Sequence, residues 1–156
     1  MRTWILALTA ALLLGATACG DTPATPPAGG SAPTATALTP WQVEHGIGPV
    51  TEPIALAAVD AHEAAEGKKI FDQKCSACHK ANERYVGPAL GGVVGRRTPE
   101  YVMNMILDPA TMTHQHPEAK KLLGTYMVEM PNQGLTREQT REVVEYLRTL
   151  PAPPAQ

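Results

Sequence analysis

The run Cys75-Ser76-Ala77-Cys78-His79 constrains this chain more than any other stretch of it. Two thiols separated by two residues on one tight turn can each add to a neighbouring vinyl group of a haem, and the imidazole that follows the second thiol then faces the iron. C-x-x-C-H is the attachment sequence of c-type haem. Read in this way, Cys75 and Cys78 carry the thioether bonds and His79 is the proximal axial ligand of one covalently attached haem c. A structural zinc site asks for four Cys or His ligands, usually with a second pair at recognisable spacing, and the chain has only three cysteines in all. A thioredoxin-like dithiol belongs in a βαβ context, whereas the text around this motif is helical and glycine-rich.

Composition agrees with a cofactor-filled core. Aromatic residues make up 4% of the chain and include a single Phe, so the side chains alone would form a thin hydrophobic centre. A haem fills that gap. The 13 Lys and Arg stand against 15 Asp and Glu, a net charge of −2, which offers no basic surface for nucleic acid.

Covalent haem attachment needs reduced thiols outside the cytoplasm, and the start of the chain reads as an export signal. Arg2 supplies a positive n-region, and Trp4 to Gly15 form an apolar stretch too short to span a bilayer, so residues 1–18 are expected to be a cleaved signal peptide. Small residues precede Cys19 in Leu14-Gly15-Ala16-Thr17-Ala18-Cys19, which resembles a bacterial lipobox with Ala16 where leucine is commoner. Cys19 is then the lipidated first residue of a lipoprotein; ordinary cleavage after Ala18 would instead leave a free thiol. Residues 19–40 are built mostly of Gly, Pro, Ala, Thr and Ser and cannot bury enough apolar area to fold alone. They read as a tether with a reach of ~25 Å. Residues 41–59 follow as an N-terminal extension, residues 60–151 as one compact domain, and residues 152–156 as a tail.

Within that domain the periodicity is helical, and no alternating strand stands out. Asp60 with Glu63 reads as a capping box that opens a helix toward Lys74, carrying Gly67 and Phe71 on one face. Thr98-Pro99 is an N-cap followed by proline at the first helical position, and Val102, Met105 and Ile106 form an apolar stripe before Asp108-Pro109 ends the element. Pro117 opens a third helix with Ala119, Leu122, Leu123 and Tyr126 at i, i+3, i+4 and i+7. Thr136 with Gln139 caps a fourth, which carries Val143, Tyr146, Leu147 and Leu150 to Pro151. The expectation is an all-α fold of about four helices around one covalently bound haem.

From about Asp60 to Leu150 the chain resembles a class I c-type cytochrome. The haem motif is followed by Gly87-Pro88-Ala89-Leu90, then by Gly95-Arg96, and a Met-Pro pair precedes the final capped helix. The resemblance implies that the Pro88 carbonyl accepts a hydrogen bond from the proximal His79, fixing its ring. It implies that Arg96 lies near a haem propionate. It also implies that Gly67 and Phe71 sit where the last helix crosses, at Tyr146.

The sixth ligand separates a carrier from a ligand-binding protein. Met130, before Pro131, occupies the position at which the resembled family places its axial methionine, and proline favours the extended backbone that can present a side chain. Met127 is the competitor, and Met112 is read in an irregular turn. Met103 and Met105 fall inside a helix, where methionine more often fills core. His114 and His116 could ligate iron in principle, but with His45 and His62 they are read as solvated. The reading is an exported, monohaem, His/Met-ligated electron carrier with no enzymatic activity of its own. It is held to the membrane by a lipid anchor facing the periplasm or cell exterior, with redox proteins or membrane-bound respiratory complexes as partners. A haem c enzyme such as a peroxidase, or a five-coordinate ligand sensor, is the alternative.

Overall fold

In the computed structural model, residues 37–152 are described, and the signal, Cys19 and most of the tether lie outside them. Seven helices follow one another among these residues, without a strand: α1 Pro40–His45, α2 Ala61–Lys74, α3 Val93–Arg96, α4 Pro99–Leu107, α5 Pro109–Gln115, α6 Pro117–Tyr126 and α7 Arg137–Thr149.

Local chemistry explains most of the boundaries. The Asp60 carboxylate accepts from the backbone N–H groups of His62 and Glu63 at 2.8 and 2.9 Å, satisfying donors that a helix start leaves free. Glu63 does not return the bond as a full capping box would; its carboxylate faces Arg141 at 3.8 Å on α7. Thr136 and Gln139 do form both halves of a capping box at the start of α7. Helices α4, α5 and α6 all begin on proline, whose missing N–H costs nothing at that position.

The sequence reading ended one helix at Asp108-Pro109 and left the next residues irregular; the chain instead opens α5 there. Asp108 closes α4 and also caps α5, its side chain accepting from the Thr111 N–H at 3.2 Å. His116 performs the same double duty between α5 and α6. Its Nδ1 accepts from the Glu118 N–H at 3.2 Å, so Nε2 carries the proton and donates to the Val43 carbonyl at 3.1 Å. His116 is therefore a buried capping residue rather than a solvated one. His45 is likewise not a free loop histidine: it stacks on Trp41 with centroids 3.7 Å apart and its Nδ1 lies 3.0 Å from Glu100.

The packing that matters most is α2 across α7. A β-carbon on Gly67 would lie 1.9 Å from the Glu142 carbonyl oxygen, so only glycine allows this approach. One turn on, the Phe71 and Tyr146 rings meet at 5.2 Å and 56°. Phe71, Val102, Met103, Ile106, Val143, Val144 and Leu147 form the buried core beneath this crossing.

The segment after α1 lies on α4 and is held by two buried side chains. Asn104 accepts from the Val50 N–H at 2.9 Å and donates to the carbonyls of Val50 and His45. Glu100 accepts from the Ile54 N–H and faces His45. Burial works to raise the Glu100 carboxyl, but these partners outweigh it and hold it below the usual carboxylate range. Val50 thereby joins the core.

Candidate haem site

Helix α2 runs directly into the cysteine turn. The N–H groups of Cys75 and Ser76 both reach the Phe71 carbonyl at 2.9 Å, and those of Cys78 and His79 reach the Cys75 carbonyl at 3.0 and 2.9 Å. This continued turn brings both thiols and the imidazole to the wall of one cavity of about 330 Å³. Neither thiol is in a disulfide. Burial, and secondarily the neighbouring Cys78, pushes the Cys75 thiol above its ordinary range, the reverse of what activates a redox dithiol. No cluster of three or more His, Cys, Asp and Glu that could hold a metal ion occurs among the described residues.

His79 is held by backbone. Its Nδ1 donates to the Pro88 carbonyl at 3.0 Å, which leaves Nε2 with a free lone pair. Burial holds the imidazole below its ordinary value, opposed in part by the Pro88 bond, and the neutral ring is the form that ligates a metal. The loop doing the holding is itself pinned: the Gly87 N–H reaches the Cys78 carbonyl at 2.8 Å and the Leu90 N–H the Lys80 carbonyl at 2.9 Å. A β-carbon on Gly87 would stand 2.5 Å from His79 Cε1, so glycine is what lets this loop lie against the ring. Arg96 donates to the carbonyls of Gly91 at 2.7 Å and Ala89 at 3.4 Å, bracing the same loop from the cavity wall.

The rest of the lining includes Val102, Met105 and Ile106 of α4, Leu122, Leu123 and Tyr126 of α6, and Met130 in the loop before α7. The methionines separate by place. Met127 closes α6 in the left-handed region, with φ 56°, and is 81% exposed. Met112 is fully buried in the neighbouring cluster with Tyr101 and Ala119, its sulfur accepting from the Ile47 N–H at 3.1 Å. Met103 is core. Among the methionines of the described residues, Met105 and Met130 alone line the cavity, Met105 from a helix and Met130 from a loop. Among the histidines of the described residues, His79 alone lines it; His114 is 3.1 Å from Glu129 on an exposed rim.

Sequence reasoning missed Tyr101. Its ring packs edge-on to His116 at 5.1 Å, lies beneath the Arg97 guanidinium and lines the cavity, while its hydroxyl is buried among protein atoms without a hydrogen-bond partner. Burial raises its pKa, so it remains a donor. The available signal was its place one helical turn before Met105 on α4. A buried hydroxyl without a partner is costly, and Tyr101 offers the cavity its ring rather than this donor. Two thiols on one turn, a pinned neutral imidazole, apolar walls and cationic Arg96 together fit a haem, which has carboxylates to accept hydrogen bonds and a macrocycle to bury.

These features define an all-α protein built around a covalently held haem. The cytochrome c family model matches residues 64–151, and the chain belongs to that family: it is a class I c-type cytochrome with one covalently attached haem c, an electron-transfer protein. Cytochrome c2 of Rhodopseudomonas palustris is 27% identical over 122 residues, spanning 62% of this chain and 87% of the relative. Cytochrome c of Tetrahymena pyriformis is 30% identical over 100 residues, 56% of this chain and 89% of the relative. Among solved structures, a cytochrome c from Rhodothermus marinus superposes with a TM-score of 0.66 at 40% identity, covering 70% of this chain and 95% of that one.

Proposed function

We propose that Cys75 and Cys78 carry the two thioether bonds, that His79 Nε2 and the Met130 thioether hold the axial positions, and that the chain is an exported, lipid-anchored carrier. The observation that carries the reading is the His79 geometry: Nδ1 committed to the Pro88 carbonyl, with the free nitrogen on a ring that lines an apolar cavity. The haem supplies the one-electron iron couple, and the protein's residues set its surroundings. Pro88 fixes the imidazole and raises its basicity as a ligand. The apolar side chains of α4 and α6 keep water out. Arg96, already braced by two carbonyls, is a donor available to cofactor carboxylates. A thioether ligand favours the reduced iron and raises the potential.

Export and anchoring rest on the N-terminal sequence. A signal of residues 1–18 and a diacylated Cys19 ahead of a Pro- and Gly-containing tether would keep the haem domain at the outer face of a membrane. There it would exchange electrons with periplasmic redox proteins or membrane-bound respiratory complexes. The Met130 side chain in the cavity wall supports a closed coordination sphere over the five-coordinate iron that a peroxidase or sensor needs. A redox titration of the purified protein should give one one-electron wave. Mass spectrometry of the mature N-terminus should find a lipid-modified Cys19, and an unmodified thiol there would reduce the reading to an ordinary exported carrier.

A further inference from the structure

The loop bearing Met130 runs from Met127 to Leu135 without regular structure, and beyond the packing of Met130 and Leu135 on the core its position depends on side-chain ties. There is one on each side of Met130. On the incoming limb, Glu129 Oε1 lies 3.2 Å from Thr113 Oγ1 and 3.1 Å from His114 Nε2. The Thr113 hydroxyl has one proton and a closer acceptor, the Pro109 carbonyl at 2.8 Å, and the His114 contact is solvent-exposed, as are the two Asn132 bonds on the other limb. The Glu129 tie is weak. On the outgoing limb, Asn132 Nδ2 donates to the Leu107 carbonyl at 2.9 Å, and its Oδ1 accepts from the Gly134 N–H at 2.7 Å. Leu107 ends α4, where carbonyls have no helical donor, so the amide satisfies an otherwise free group while closing the turn after Met130. One side chain thus connects the Met130 loop to the end of α4, the helix whose Val102, Met105 and Ile106 also line the cavity.

We propose that Asn132 is the positioning residue for Met130, its amide pinning the loop to the end of α4 and thereby setting how much of the time the thioether closes the cavity. This rests on the reading of Met130 as axial ligand. The substitution that isolates the tie is Asn132→Asp, which keeps the acceptor for the Gly134 N–H but sets a carboxylate oxygen against the Leu107 carbonyl. Asn132→Ala removes both bonds. Imidazole binding to the oxidised holoprotein is the probe, read alongside the reduction potential and the thermal midpoint. In Asn132→Asp the affinity for imidazole should rise about fivefold or more, the population change that one lost hydrogen bond permits, with a lowered potential. His114→Ala should stay within about twofold of wild type, since it breaks only the weak tie. Met130→Ala sets the upper limit. Imidazole affinity and potential unchanged in Asn132→Asp, while Met130→Ala binds freely, would overturn the role of Asn132 and leave that of Met130 intact. A Met130→Ala protein that binds imidazole no better than wild type would overturn both. Should Asn132→Asp not load haem, Asn132→Ala decides the matter without a new charge beside Leu107.

Discussion

The two sides of the cavity are built by opposite means. On the histidine side the ring is held by backbone: a carbonyl on Nδ1, a glycine flat against Cε1, and a loop whose amides return to Cys78 and Lys80. On the methionine side an irregular loop carries Met130 between an 81% exposed Met127 and one asparagine amide. Backbone ties cannot rotate away, whereas side-chain ties exchange with water at little net cost. The histidine side is therefore fixed and the methionine side adjustable, which suits a carrier whose proximal ligand comes with its covalent motif and whose distal ligand tunes the potential.

The largest effect should come from removing the covalent motif. Cys75→Ala with Cys78→Ala should yield a polypeptide that releases all haem on acid extraction and, lacking the group that its thin core is built around, loses most of its helical circular dichroism. Gly87→Val attacks the same side without touching a ligand. Its β-carbon would begin 2.5 Å from His79 Cε1, so the ring or the loop must move; a loss of ~2 kcal/mol or more is expected, read as a lower thermal midpoint of the holoprotein. Tyr101→Phe is smaller and its sign is informative. The hydroxyl has neither a partner nor surface on the cavity, so its removal should stabilise the holoprotein by about 1 kcal/mol and leave the potential unchanged. A loss of stability with a shifted potential would mean that the hydroxyl donates to the cofactor in the loaded protein.

How much of this could be read beforehand follows the same division. Helices α2, α4, α6 and α7 were legible because a capping residue or an N1 proline precedes a 3.6-residue apolar stripe in each. Helix α5 was not, because seven residues hold too few apolar positions to show a period, and Pro109 reads equally as a stop or a start. Helix α1 was hidden by its place beside a low-complexity stretch, and its hold on α4 depends on Glu100 and Asn104, polar residues in an otherwise apolar helix. At the site, Cys75, Cys78, His79 and Pro88 fall within one short span and carry a recognisable pattern. Tyr101 and Asn132 do not, since one is defined by a missing partner and the other by a carbonyl 25 positions away.

The contrast between the two sides is tested most directly by the visible spectrum of the oxidised holoprotein, inspected for the methionine-to-iron charge-transfer band in wild type, Met130→Ala and Met127→Ala. The wild type should show the band, Met127→Ala should keep it because that side chain points to solvent, and Met130→Ala should lose it while retaining covalent haem. A band that survives Met130→Ala, or disappears in Met127→Ala, would contradict the assignment of the adjustable side to Met130.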